Sequence, residues 1–234
     1  MRKKIERISI ADESLISNIA QNIAHLFCEY MGDYHIDNID VIVIHITVSN
    51  YDSNYYIIPS DESRTYNLKH LYIRIDEKFF LSLSDYDKIK LAGELIYKSI
   101  TDLAIYNSLP LEPINDAYKR IIETDFYLVK DKKYKSPKKK YTCWLEYRNE
   151  FSICTYRLGF IGVNGKIKYF IVRAKEYPNY NLLVELKEKD YLKWLKLPKF
   201  LKVSGWINDT EFEMYWGEEE RYIFDAEKEE IRQE

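Results

Sequence analysis

The chain has 234 residues, 46% of them hydrophobic and 31% charged, with only 7 Gly and 6 Pro, a composition that excludes a disordered chain, a collagen-like repeat and a flexible linker. Its length suits one large domain or two small ones, each able to bury a core. The formal net charge of −3 conceals three blocks: residues 1–129 hold 13 Lys/Arg against 20 Asp/Glu, residues 130–202 hold 19 against 7, and residues 203–234 hold 3 against 11.

Arg2, Lys3 and Lys4 open the chain, but Glu6 and Arg7 interrupt the apolar run that a secretion signal needs. Leu15, Ile16, Ile19, Ile23, Leu26 and Phe27 then recur at helical spacing, predicting an amphipathic helix from a cap at Asp12 to Met31, with Asn22, His25 and Glu29 on its polar side and Gly32 as its stop. Ile39–Val48 is β-branched and apolar on both phases, as a strand in the middle of a sheet would be. Tyr55–Ile58 and Leu68–Ile75 read as further strands, separated by a polar loop at Ser60–Arg64. Ser84 or Asp85 opens a long helix to Asn107, in which Gly93 calls for a close-packed neighbour, and Pro113 starts another helix that runs to about Phe126.

Beyond Lys140 the period changes from helical to alternating. Tyr141, Cys143, Leu145 and Tyr147 fall on one side of a strand and Thr142, Trp144, Glu146 and Arg148 on the other. Asn164-Gly165 predicts a two-residue hairpin between Phe151–Phe160 and Lys166–Ala174, because both residues accept positive φ. Leu182–Leu186, Phe200–Ile207, Glu211–Trp216 and Arg221–Phe224 are further strand candidates, Asp190–Leu195 is a short helix, and Asp225–Glu234 is a polar tail expected to fray. The expected fold is therefore α+β: N-terminal helices packed on a small sheet (1–129), a basic connector (130–140), an antiparallel, meander-rich β region (141–224) and the tail (225–234).

Chemistry-bearing patterns are sparse. Cys28, Cys143 and Cys154 are odd in number and form no CxxC pair, which argues against a disulfide framework or a cysteine zinc site and suits a reducing cytoplasm. The longest dense apolar stretch, Val41–Ile44, is far short of the ~20 residues of a membrane span. His25, His35, His45 and His70 show no spacing that presents two ligands on one helix face, and Asp33, His35, Asp37 and Asp40 resemble a polar turn as much as a metal cluster. Glu185-Leu186-Lys187 matches half of a metal-dependent nuclease site, and equally an ordinary solvated strand. With no GxSxG, P-loop or GxGxxG, the chain is expected to be neither an enzyme nor the holder of a cofactor.

Two binding readings remain open. Lys130–Lys140 carries seven Lys in eleven residues beside Tyr134, Tyr141 and Trp144, so Lys138, Lys139, Lys140, Tyr141 and Trp144 are candidate contacts for nucleic acid by charge neutralisation and stacking, or else the Lys run is a solvated connector. Alternatively the aromatic excess, including Trp144, Trp194, Trp206 and Trp216, serves a protein interface or a core. The stretches Asp76–Lys88, Asn115–Arg120 and Lys135–Tyr141, within Ile73–Lys175, resemble bacterial immunity proteins of polymorphic toxin systems. That resemblance implies a cytoplasmic antidote that binds a cognate protein toxin and blocks it by occlusion, and it carries no catalytic residues over.

Overall fold

The computed structural model describes residues 2–5, 7–10, 16–37, 39–58, 64–65, 68–129, 132–150, 153–176, 201–217 and 220–234. The chain is mixed α+β, as its periodicities require, and divides into two units: Met1–Phe126 with Asn149–Phe151, and Tyr127–Arg148 with Ser152–Glu234.

In the first unit β1 (Arg2–Lys4) and β2 (Arg7–Ile10) lead through α1 (Ser17–Met31) and β3 (His35–Asp37) to β4 (Val41–Ser49). Next come β5 (Tyr55–Ile58), β6 (Arg64–Thr65), β7 (Leu68–Asp76), α2 (Glu77–Ser82), α3 (Asp85–Tyr106) and α4 (Glu112–Glu123). The main sheet has the order β2-β4-β7-β5, with β2, β4 and β7 parallel and β5 antiparallel to β7; β6 also pairs with β7. Parallel neighbours need a crossover, which α1 supplies between β2 and β4. Ile42, Ile44 and Ile46 of β4 and Leu71, Ile73 and Ile75 of β7 are buried, whereas the alternate positions are half-buried or exposed. α1 packs on β2, α3 and α4, and α3 packs on β5 and β7.

Local chemistry explains the helix ends. Ser84 caps α3 by accepting from the Asp87 amide at 3.1 Å, and Gly32 ends α1 with φ +57°. β2 was not foreseen: in isolation Arg7–Ile10 is too short to declare itself, and the Ile8 amide is tied instead to Cys28 Sγ at 3.1 Å. Helix α1 begins at Ser17, and the cap expected at Asp12 lies outside the described residues. Asn22, expected on the polar side, is buried. α2 was also missed; its start is the Asp76 carboxylate, which accepts from the Phe79 amide at 2.8 Å.

The close neighbour that Gly93 calls for is Phe126. Asp125 and Phe126 both take left-handed φ, +55° and +59°, which turns the Phe126 ring onto α3, where a Cβ on Gly93 would lie 2.7 Å from it. Gly93→Ala therefore sets a helix-propensity gain of up to ~1 kcal/mol against an overpacking cost of ~1–3 kcal/mol. The variant is expected to unfold at lower denaturant than wild type, and Phe126→Leu in the same chain to recover part of the loss.

The second unit contains β8 (Leu128–Val129), β9 (Tyr134–Lys135), β10 (Thr142–Asn149), β11 (Ile153–Ile161) and β12 (Ile167–Glu176), then β13 (Leu201–Trp206), β14 (Glu211–Trp216), β15 (Glu220–Asp225) and β16 (Glu230–Gln233). One sheet has the order β12-β11-β10-β8, with β9 also on β10; the other is β13-β14-β15-β16, each strand antiparallel to the next. The sheets pack through aromatic rings: Phe160 and Phe170 each meet Phe224 with centroids 5.0 Å apart, Tyr156 meets Trp216 at 5.2 Å, and Tyr134 meets Phe212 at 5.6 Å. Such pairs add to the area they bury, which suits a sandwich core.

Three expectations need correction here. Within 130–140, the described residues do not form an open connector: β9 pairs with β10 around a turn in which the buried Ser136 exchanges backbone hydrogen bonds with Tyr141 and Lys139. The tail 225–234 does not fray, because Ile231 and its neighbours add β16 to β15 and Arg232 pairs with Glu211 and Glu234. At Asn164-Gly165 only Gly165 has positive φ, +73°; the turn is the four residues Gly162–Gly165, closed by a 3.0 Å amide-to-carbonyl bond, with the positive φ at its last residue instead of at a central mirror-image pair. The strand expected at Leu182–Leu186, the helix at Asp190–Leu195 and Trp194 lie outside the described residues.

Candidate functional site

The five residues proposed from sequence as a binding patch all belong to the second unit but differ in environment. Lys138, Lys139 and Lys140 are exposed on the β9–β10 turn, where Lys139 takes φ +58°. Lys138 is bound to Asp209, whose carboxylate raises the lysine's proton affinity above its ordinary value. Tyr141 is half-buried and stacks on Phe160 and Trp206, with centroids at 5.8 and 6.1 Å. Trp144 is 2% exposed, so it is an interior ring, not a stacking platform for bases. It lies against Gly159, where a Cβ would come within 2.2 Å of the indole.

The basic block is met by the acidic one within this unit. Lys138, Lys168 and Arg173 pair with Asp209, Glu229 and Glu220, all three carboxylates coming from residues 203–234. The acidic end of the chain thus neutralises part of the basic block at these residues.

One face of the β10–β12 sheet holds a buried polar cluster that sequence reasoning did not single out. Alternation places Trp144, Glu146, Arg157, Gly159 and Tyr169 together. Glu146, 4% exposed, accepts from the Trp144 Nε1 at 2.6 Å and from the Arg157 Nε at 2.7 Å. The Arg157 guanidinium lies over the Tyr127 and Tyr169 rings, 3.5 and 3.9 Å from their centroids. The sequence signals for this pairing are that Trp144, Glu146 and Arg148 share a strand phase and that Phe151–Phe160 reads as a strand; which residues of the two strands face each other is not legible there. Removing one member of a buried ion pair strands the other, so Glu146→Gln is expected to cost ~3–5 kcal/mol of stability in a denaturant titration. Replacing both members with apolar residues of similar volume should cost less.

Beside this cluster the same face turns apolar. Val163, Ile167, Tyr169 and Ile171 are 75, 53, 46 and 61% exposed, a ladder along the outer phase of β12 and the turn before it. Four large apolar side chains exposed side by side are unusual for a soluble surface and typical of a contact site.

All four His belong to the first unit and Cys143 and Cys154 to the second, so neither thiol has a histidine beside it in its own unit. Burial pushes the Cys143 thiol well above its usual range, and a neutral thiol is a poor nucleophile. Alkylation at pH 8 is accordingly expected to leave Cys143 unmodified in the native chain and to label it after denaturation, as read by peptide mass spectrometry. His25 and Glu29 are exposed on α1, and the His35 Nδ1 is buried without a hydrogen-bond partner. Among the described residues no group of three His, Cys, Asp or Glu converges to hold a metal ion, and no helix is long and apolar enough to cross a membrane. The Glu185-Leu186-Lys187 tripeptide lies outside the described residues.

Comparison with protein-family models, with curated proteins and with solved structures gives no match to this chain.

Proposed function

We propose that this chain is a non-enzymatic binding protein that engages a protein partner through the β12 face of its second unit. The observation that carries the reading is the exposed ladder of Val163, Ile167, Tyr169 and Ile171. Burying such side chains is worth ~25 cal/mol per Å2, and an aromatic held over an arginine supplies a rigid contact at low entropic cost. Lys168 falls on the other phase of β12 and is bound to Glu229, so the complement of the ladder is a partner presenting apolar side chains.

The specific form favoured here is an immunity protein acting in the bacterial cytoplasm, with a cognate toxin as the partner and occlusion as the mechanism. An antidote of that kind needs a stable scaffold and an adhesive face, not a nucleophile or a metal. Nucleic-acid binding through residues 130–202 is the weaker reading, because Lys138, Lys168 and Arg173 already pair with carboxylates of residues 203–234, and Trp144 is interior.

Co-expression with the product of the adjacent gene tests the proposal. The expected result is co-purification and protection of the host from that product, with Ile167→Asp and Ile171→Asp each weakening binding at least about tenfold, about 1.4 kcal/mol, at unchanged thermal stability. Salt-dependent retention on DNA or RNA, with no binding to the adjacent product, would replace this reading with the nucleic-acid one.

A further inference from the structure

β12 stands at the end of the β12-β11-β10-β8 order and pairs, among the described residues, with β11 alone. From Ile167 to Ile171 the two strands match residue for residue, Ile161 with Ile167 through to Arg157 with Ile171; beyond that Val172 is an extra residue in β12, and Tyr156 pairs with Arg173. A bulge of this kind bends a strand and increases its twist, so the regular part of the edge is Ile167–Ile171. That stretch has no Pro, and its one charged side chain, Lys168, is bound to Glu229 on the phase away from the ladder. Natural sheets blunt an open edge with charge or Pro, or else pair it. Here neither charge nor Pro stands on the outer phase, where Ile167, Tyr169 and Ile171 are 53, 46 and 61% exposed.

We propose that two copies of this chain pair antiparallel along β12, edge to edge, about a two-fold axis at Tyr169. The apolar pattern of Ile167-Lys168-Tyr169-Phe170-Ile171 reads the same in both directions. Turned about Tyr169, it sets Ile167 opposite Ile171 of the second copy, Ile171 opposite Ile167, and Tyr169 opposite itself. Residues directly opposite one another in an antiparallel pair project from the same face, so the two ladders become one. The neighbouring registers are poorer. An axis at Lys168 places two ammonium groups opposite each other, and an axis at Phe170 sets Lys168 against the bulged Val172, where regular pairing is broken.

The pairing is isologous and consumes the β12 edge of both copies, so it closes at a dimer and does not propagate into a fibre. It goes beyond the reading of β12 as a partner-binding face, because it concerns the rim of the strand and leaves the exposed face, now doubled, to a partner.

Sedimentation equilibrium of the full chain over a concentration series tests this, with the register read from substitutions at exposed positions. The expected outcome is a reversible monomer–dimer equilibrium. Ile167→Lys with Ile171→Lys in one chain sets like charges opposite each other twice and should raise the dissociation constant at least about tenfold, whereas Ile167→Glu with Ile171→Lys sets opposite charges there and should recover most of that loss. Under mild oxidation Tyr169→Cys should cross-link to itself, and Ile167→Cys should cross-link to Ile171→Cys when the two variants are mixed, with neither alone exceeding the wild-type level. A monomer at every concentration, equal dimerisation of the two double variants, or cysteine linkage in any other pattern would overturn the proposal. Because the chain is measured alone, each of these results is independent of whether the adjacent gene's product binds.

Discussion

A β-strand has two faces and a hydrophobic core fills only one of them; most of what is distinctive in this protein follows from that constraint. In the first unit Ile42, Ile44 and Ile46 with Leu71, Ile73 and Ile75 take the buried face. Each contributes ~1.5–3 kcal/mol by leaving water, so the register is firmly pinned. A slip of one residue would exchange these six for residues of the other phase, among them Val43, His45, Tyr72 and Arg74, and bury ionisable groups in their place. His45, the His70 bonded to it and the Tyr72 ring stacked on it lie on the other face because the core leaves that face to them.

The second unit applies the same rule twice. Its two sheets interlock through Tyr156, Phe160, Phe170, Trp216 and Phe224, which accounts for part of the unusual aromatic content as core and not as recognition surface. On the reverse of β10–β12 the residues grade from a buried polar cluster around Glu146 and Arg157 to the exposed apolar ladder of β12. The ion pair is costly to desolvate. Its second carboxylate oxygen is satisfied by Trp144, and the guanidinium is placed against two tyrosine rings, so both charges are compensated. Gly159 belongs to the same device, since any side chain there would displace the indole.

The charge pattern acquires its meaning from the same packing. Strands of the acidic C-terminal block bring Asp209, Glu220 and Glu229 to Lys138, Arg173 and Lys168, so part of an apparent polyanion-binding stretch is spent on internal pairing. Exposed pairs of this kind contribute little to stability. Their effect is on association: with cationic side chains engaged, the feature left to distinguish this surface is apolar.

Local periodicity sufficed for the elements whose own side chains define them. The long helix capped by Ser84, the strands at Val41–Ser49, Tyr55–Ile58 and Glu211–Trp216, and the need for a neighbour at Gly93 all depend on spacing within one segment. What escaped were features whose energy comes from pairing with another segment, near or far in the chain. β2 is stabilised by a parallel partner more than thirty positions on, β16 by cross-strand pairing, and the connector's order by Ser136 and Tyr141 closing a turn. The same holds for the pairs that polar side chains form. His45 and His70 are separated by 25 positions and Glu146 and Arg157 by 11, and neither distance matches a helical or metal-motif spacing. Only strand pairing, which adds hydrogen bonds between segments irrespective of their separation in sequence, decides that these side chains touch.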